Sequence, residues 1–360
     1  MIKREHTFLA LRTGSCWYKV VFALALLTLS ACNREKQAPL AEAVAQRDEK
    51  QAPLAEAVAQ REGTAYPLVI KNYAPSEQYG EPWSEKTQVF EKSPSRAVVT
   101  TQTVAELLLH LDLADRVAGV CGVFDAVEEG LEAEFAKLTI ITESYASKEL
   151  VIGANPDIVI GRGGLFANAD WGCGTVEDLN DMGIKTFALN ASRPDADIDD
   201  LYRDIEELGE IFDVRENAAA MIRETQAKFA AVKEKLADES PKTYGWVWGV
   251  DNGAIAIYSA NTENFINGAL EHIKLVNAFA DVSGDVGMEQ IVAANPDILI
   301  SVDASLTGDA LEALYSIPAL ENVNAIKNRQ LYIVDYNELW GYGYQTFRGM
   351  EKLAAEVFGG

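Results

Sequence analysis

Histidine and cysteine are scarce in this chain of 360 residues, with three His and four Cys. Only His110 and His272 lie beyond the amino-terminal leader, both in helical patterns. A zinc or manganese site needs several imidazoles, so that reading is a minor alternative. Cys16 and Cys32 belong to the leader, leaving Cys121 and Cys173. Two cysteines make no disulfide framework, although export would let them pair. No G-x-S-x-G, G-x-G-x-x-G, phosphate-binding-loop or H-E-x-x-H motif follows the leader, and no acid pair stands out, which argues against an enzyme. Basic residues are few: 31 Lys and Arg face 55 Asp and Glu, a net charge of −24. Without residues 1–32, 27 basic residues face 54 acidic ones, giving −27. That argues against a nucleic-acid partner and leaves most of the charge as solvated surface.

Long hydrophobic runs are absent apart from Val20–Leu29, which at ten residues is short for a membrane span. Lys3, Arg4, Arg12 and Lys19 give this leader positive charge, and Leu29-Ser30-Ala31-Cys32 places small residues ahead of a cysteine. The pattern resembles a bacterial lipobox, which implies cleavage before Cys32 and lipid on it; an ordinary secretory signal or uncleaved anchor is the alternative. Export is expected in each case. Residues 33–62 read as a tether, because Glu35–Arg47 recurs letter for letter as Glu49–Arg61 without an aromatic residue. Such a segment cannot bury a core.

Glycine and proline are missing from Val214–Ala237, where apolar or small residues recur at Val214, Ala218, Met221, Ile222, Thr225, Phe229, Val232 and Leu236. The period is helical. Asp213 and Glu216 suggest a capping box, and Ser240-Pro241 a stop. On either side stand two similar units, Glu149–Ile160 and Glu289–Ile300, each containing Asn-Pro-Asp-Ile, at an offset of 140 residues. So long a repeat predicts two similar lobes with the helix as a strut between them. The expected organisation is a leader at 1–32, a tether at 33–62, a first lobe at 63–212, the interdomain helix at 213–240 and a second lobe at 241–360.

Tyr66–Tyr73 and Thr87–Glu91 alternate like two strands, with Gly80 and Pro82 in the connection. Strands are then expected at Arg96–Thr100, Val117–Val123, Ile158–Ile160 and Thr186–Leu189, alternating with helices at Val104–Leu113, Glu149–Ala154 and Val176–Met182. A helix at Ile198–Phe212, broken around Gly209 and Asp213, precedes the strut. The second lobe reads as strands Tyr244–Val250, Ile255–Tyr258 and Leu331–Val334 with helices Thr262–Ile273 and Thr346–Phe358. Alternation of this kind with all-apolar strands predicts an α/β fold, parallel sheets covered by helices on both faces.

Taken together, Ser95-Arg96-Ala-Val-Val, Leu107–Leu113 running into Asp115-Arg116-Val-Ala-Gly119, the two Asn-Pro-Asp-Ile units, the strut and Leu331–Val334 resemble a known family. These are the substrate-binding proteins of bacterial ABC importers for ferric siderophores, haem and cobalamin. The resemblance covers nearly all of residues 86–360 and implies two Rossmann-like lobes joined by one long interdomain helix, the class III periplasmic-binding fold. It implies a cleft ligand with no cofactor, a permease dimer with its ATPase as partner, and a monomer held outside the cytoplasm by lipid on Cys32. A lipid-anchored sensor would use the same fold. The strands before residue 86 lie outside the family core. Glu271–Asn277 carries Ile273, Lys274 and Leu275 where relatives often have paired glycines.

In open α/β sheets ligands sit at the carboxyl ends of the strands. The loops there are Thr100-Thr101-Gln102, Phe124-Asp125, Arg162-Gly163-Gly164, the turn flanked by Trp246, Trp248 and Asp251, and Trp340-Gly-Tyr342-Gly-Tyr344 with Arg348. Trp248, Trp340, Tyr342 and Tyr344 suit a large flat or catecholate ligand, unless they pack their own lobe. Arg162 and Arg348 suit its negative charge, unless they are a turn residue and a salt bridge. Haem with a tyrosine axial ligand stays open. Glu149 and Glu289 stand at matching places, one per lobe. The resemblance implies that they dock onto permease arginines; the alternative is helix-start acids favoured by the dipole.

Overall fold

The computed structural model describes residues 63–76, 82–251, 254–302 and 306–359. The leader, Cys32, the tether to residue 62 and Gly80 lie outside these described residues, as does the Asp251 side chain. An antiparallel hairpin comes first, β1 (Leu68–Ala74) and β2 (Ser84–Phe90), in register from Leu68↔Phe90 to Ala74↔Ser84. Next come β3 (Ala97–Val99), α1 (Gln102–His110), β4 (Val117–Cys121), α2 (Glu132–Phe135), β5 (Ile140–Thr142), α3 (Lys148–Gly153), β6 (Ile158–Gly161), α4 (Val176–Asp181) and β7 (Lys185–Ala188). Their five strands form one parallel sheet in the order β5-β4-β3-β6-β7. Successive residues of the central strands enter different cores: Val99 and Ile160 lie in one, Val98 and Val159 in another. A sheet buried on both faces needs apolar residues at every position, so these strands read as unbroken runs.

Helix α5 (Asp199–Ile211) runs through Gly209 without the expected break and leads to α6 (Arg215–Lys235), the strut. Its 21 residues span roughly 32 Å at 1.5 Å each. Ala218, Ile222, Phe229, Val232 and Leu236 of the predicted stripe are buried, and a continuous core runs from Ile160 past Ile222 and Phe229 to Trp246 and Ile300. The capping box is not formed. Val214 is the N-cap residue, with no side-chain cap, and Asp213 adopts a left-handed φ of 60°. Its carboxylate instead accepts the backbone N–H of Thr64, tying the amino-terminal segment to the strut. The helix also ends before Ser240-Pro241, with Leu236 as C-cap.

The second lobe holds β8 (Lys242–Asp251), β9 (Ala254–Tyr258), α7 (Asn264–His272), β10 (Leu275–Asn277), α8 (Met288–Ala294), β11 (Ile298–Ser301), α9 (Gly308–Tyr315), α10 (Asn324–Lys327), β12 (Leu331–Ile333), α11 (Tyr336–Leu339) and α12 (Gln345–Phe358). Its parallel order is β10-β8-β11-β12, and β9 joins β8 antiparallel. So short a connection admits only an antiparallel pair, so this sheet is mixed where an all-parallel one was expected. The three-residue strands β5 and β10 are too short to show a period. Before β10, Lys274 takes the left-handed conformation (φ 60°), and its Nζ donates to the carbonyls of Ala237 (2.7 Å) and Glu239 (2.6 Å) beyond the strut.

The repeated Asn-Pro-Asp-Ile has a structural cause. Asn155 and Asn295 both adopt left-handed φ values, 50° and 48°, ending the preceding helix. Asp157 then accepts from the backbone N–H groups of Ser95 (2.7 Å) and Arg96 (2.9 Å), and Asp297 from that of Thr243 (2.9 Å). Each carboxylate thus fastens the start of a neighbouring strand.

The link from β7 to α5 is bonded to two acids of α5, Asp204, which is buried, and Glu207, which is partly buried. Asp204 accepts the backbone N–H groups of Asn190 (2.7 Å) and Ala191 (3.2 Å), and Asn190 donates to Glu207 (3.0 Å). Burial raises both carboxyls, Glu207 to about 7, and the Asn190 bonds offset this only in part. A carboxyl that holds its proton more tightly when folded stabilises the native state below its unfolded value. That contribution is lost as pH rises through the folded value. Glu207→Gln should therefore flatten the loss of stability between pH 5 and pH 8, by on the order of 3 kcal/mol. Urea unfolding at the two pH values checks this, and parallel slopes for variant and wild type would refute it.

Candidate functional site

The carboxyl ends of both sheets meet at a seam between the lobes. Arg162, one residue beyond β6, lies at its base. Its Nη1 donates to the Tyr336 hydroxyl (3.1 Å) and the Trp340 carbonyl (3.3 Å), and its Nη2 to the Tyr145 hydroxyl (3.1 Å). The guanidinium also faces the rings of Tyr145 (5.6 Å) and Tyr342 (5.8 Å). Among the described residues it pairs with no carboxylate. This is not a simple turn residue: it is a partly buried charged group whose partners among the described residues are all neutral. Burial pushes the Tyr145 hydroxyl up to about 12.

Further aromatic side chains adjoin the groups that meet this cation. From the first lobe come Phe124 and Tyr145, edge to face at 5.0 Å; from the second, Trp248, Tyr258 and Trp340, with Trp248 at 5.6 and 5.3 Å from the other two. Phe124 and Trp248 are about half exposed, at 47% and 50%, whereas Trp340 keeps 6%. Trp246, expected at this turn, is buried in the core beneath Trp340, at 5.3 Å. Buried polar atoms near the seam with no partner among the described residues include Trp340 Nε1, Asn337 Nδ2, Gln345 Oε1 and Thr100 Oγ1.

The Gly-rich loop packs the lobes together more than it lines a ligand face. A Cβ on Gly341 would lie 2.6 Å from Thr103 Cγ2, and one on Gly343 would lie 3.1 Å from Thr103 Cβ, so the glycines allow the loop to rest against α1. Tyr342 donates to Glu263 (2.7 Å), and Tyr344 donates to Glu128 while meeting His110 edge-on at 4.9 Å. Arg348, expected to face the ligand, is engaged by carboxylates: its Nε donates to Glu338 at 2.8 Å and its Nη1 lies 3.5 Å from Glu128. Glu338 has only 3% of its side chain exposed, and a carboxylate so buried requires a counter-charge. Burial alone would raise Glu128, but hydrogen bonds with His110 and Tyr344 hold it below the usual carboxylate range.

The seam is bridged elsewhere too. Asp125 accepts the Asn337 N–H (2.9 Å), and Gln345 donates to the Thr103 carbonyl (3.1 Å) and to Glu106 (2.9 Å). Glu128, Tyr145, Tyr258 and Tyr336 were not singled out from the sequence. Tyr336 and Glu128 enter through contacts across the lobes, with Arg162 and with Tyr344 and Arg348 respectively, and Tyr258 through its packing on Trp248 and Trp340. Glu149 is fully exposed in the first turn of α3, and the helix-start amide and the Ser147 hydroxyl hold its carboxyl below the usual range. It borders an open polar depression of about 510 Å³ lined also by Lys148, Asn168 and Asp170. Glu289 is likewise exposed in the first turn of α8. Both cysteines are buried and free, Cys121 in β4 and Cys173 before α4; burial pushes both thiols up to about 12. Among the described residues no three His, Cys, Asp or Glu side chains converge for a metal ion.

A family model described as "Periplasmic binding protein" matches residues 98–337. The uncharacterized ABC transporter substrate-binding lipoprotein YvrC of Bacillus subtilis (strain 168) is 25% identical over 301 residues, 79% of this chain and 91% of that protein. A periplasmic binding protein from Veillonella parvula superposes with a TM-score of 0.70 at 20% identity, covering 83% of this chain and 99% of its own. An ABC-type Fe3+-hydroxamate transport system structure from Saccharomonospora viridis gives a TM-score of 0.64 at 20% identity, covering 82% and 100%. At such identities these two likenesses speak to the fold.

Proposed function

Because the chain belongs to the periplasmic binding protein family, we propose that it is the extracytoplasmic substrate-binding component of an ABC importer, carrying an anionic iron chelate, best a ferric siderophore. Members of this family hold a solute without transforming it, so the chain is not an enzyme. The reading of the cargo rests on one observation: Arg162 is a partly buried cation with no carboxylate partner among the described residues, faced by aromatic rings from both lobes. Burying such a charge is costly unless an anion completes it. A ferric tris-catecholate offers negative charge and flat rings together, and the rings at the seam can stack on it. The donors of Trp340 and Asn337, which have no partner among the described residues, suit an acceptor-rich ligand of the same kind. The bridged seam must part to admit so bulky a molecule, and the strut limits how far. The lipobox-like Leu29–Cys32 supports a lipid anchor that holds the protein near its permease and ATPase.

Tryptophan fluorescence tests the cargo, since Trp248 and Trp340 border the site. Titration with a ferric tris-catecholate, a ferric trihydroxamate, haemin and cyanocobalamin should quench most strongly with the ferric catecholate. Quenching by haemin or cyanocobalamin alone would overturn the iron-chelate reading and keep the binding-protein one. No response to any of the four would overturn the assignment of the seam as the site.

A further inference from the structure

We propose that the amino-terminal hairpin is part of the ligand site, with Trp83 as the residue that positions Arg162; this rests on the reading of Arg162 as the ligand's counter-charge. The hairpin lies before the stretch that the family model matches, yet with Trp83 it touches the turn that carries Arg162 directly at Gly163 and braces two segments beside that turn. Asn72, fully buried in β1, brackets Ala188 of edge strand β7: its Nδ2 donates to the Ala188 carbonyl (2.9 Å) and its Oδ1 accepts the Ala188 N–H (2.8 Å). One side-chain amide thereby stands in for the next strand of the sheet. Ala188 is the register partner of Gly161, the residue before Arg162. Tyr73 lies under Arg193 at 4.5 Å, and the neighbouring Ser192 Oγ accepts the Gly163 N–H at 2.9 Å.

Trp83 makes the third contact. A Cβ on Gly163 would fall 1.8 Å from its Cη2 and 2.4 Å from its Cζ2, so the indole occupies the space beside the glycine's Cα. Glycine is needed there for the approach and not for its backbone angles. Because Gly163 directly follows Arg162, its peptide cannot shift without moving the Arg162 main chain. Ser192 on one side and Trp83 on the other hold that peptide, which fixes the origin of the guanidinium. Shape at the first sheet's edge is thus passed to the cleft through two adjacent residues.

The test is a double-mutant cycle between Trp83→Ala and Gly163→Ala with two readouts. The first needs no ligand: the Arg162 Nε–Hε signal in 15N NMR, assigned by its loss in Arg162→Lys, and its exchange with water. Each single variant should shift that signal and speed its exchange. Gly163→Ala should add little on top of Trp83→Ala, because the atom it collides with is gone. The second is the dissociation constant for a ferric tris-catecholate, expected to rise roughly tenfold in each single variant. Trp83→Phe, which keeps a ring against Gly163, should restore both readouts and serves where Trp83→Ala does not fold. A lowered melting temperature with the Arg162 signal unmoved in Trp83→Ala, or fully additive effects, would overturn the proposal. A moved signal with unchanged affinity would uphold the positioning and overturn the role of Arg162 in capture.

Discussion

Arg162→Met should weaken binding of a ferric tris-catecholate at least about a hundredfold while leaving the fold intact. Truncating one member of a buried charge pair costs about 2–5 kcal/mol, and each 1.4 kcal/mol is a factor of ten. The variant should fold because the groups it abandons can serve each other. Tyr145 and Tyr336 each meet the guanidinium through a hydroxyl at 3.1 Å, and since a hydroxyl both donates and accepts, a small shift can pair the two. Arg162→Lys should fall between the two, since it keeps the charge and loses the planar fork. Arg348→Met supplies the contrast. It removes a counter-charge from Glu338 and Glu128, so it should lower the melting temperature and change affinity less than about threefold. Fluorescence titration and thermal unfolding of the variants decide the matter. Equal losses of affinity at the two arginines would mean that the seam has been divided wrongly between ligand and latch.

That contrast marks what the sequence could convey. Arg162 and Arg348 read alike, each a cation beyond an apolar strand in an acidic chain. Spacing alone does not say which meets a carboxylate: Glu338 stands ten residues before Arg348 in an acid-rich chain, but Glu128 lies on the other lobe from it, and Tyr336 is 174 residues from Arg162. The strut and central strands were legible for the opposite reason. Their periods of 3.6 and their unbroken apolar runs are local consequences of which faces are buried. The repeat at an offset of 140 residues was legible too, and its physical content is the paired Asp157 and Asp297 strand anchors behind left-handed asparagines. Asp213 shows the limit: its spacing to Glu216 matched a capping box, and a tertiary partner, Thr64, took the carboxylate instead.

The double variant Glu149→Ala with Glu289→Ala should bind its cargo with an affinity within about twofold of wild type and deliver almost none of it. Neither residue touches the seam; both are exposed acids in the first turn of a short helix, one on each lobe. As exposed helix-start acids they contribute little, since solvent screens them, so removing them should shift the melting temperature by only a few degrees. As docking charges they would fix the register of the whole molecule on a two-subunit permease, and losing both would remove the steering that brings the cleft over the pore. The surface around Glu149 suits such a contact, since an open polar depression of about 510 Å³ beside it could receive a loop carrying a cation. Transport by the permease and ATPase reconstituted in vesicles, with binding and unfolding measured on the same preparation, separates the two roles. Normal transport by a slightly less stable double variant would leave the carboxylates as helix caps alone. Loss of transport with binding kept, graded through the two single variants and recovered by neither Gln, would require the charges themselves.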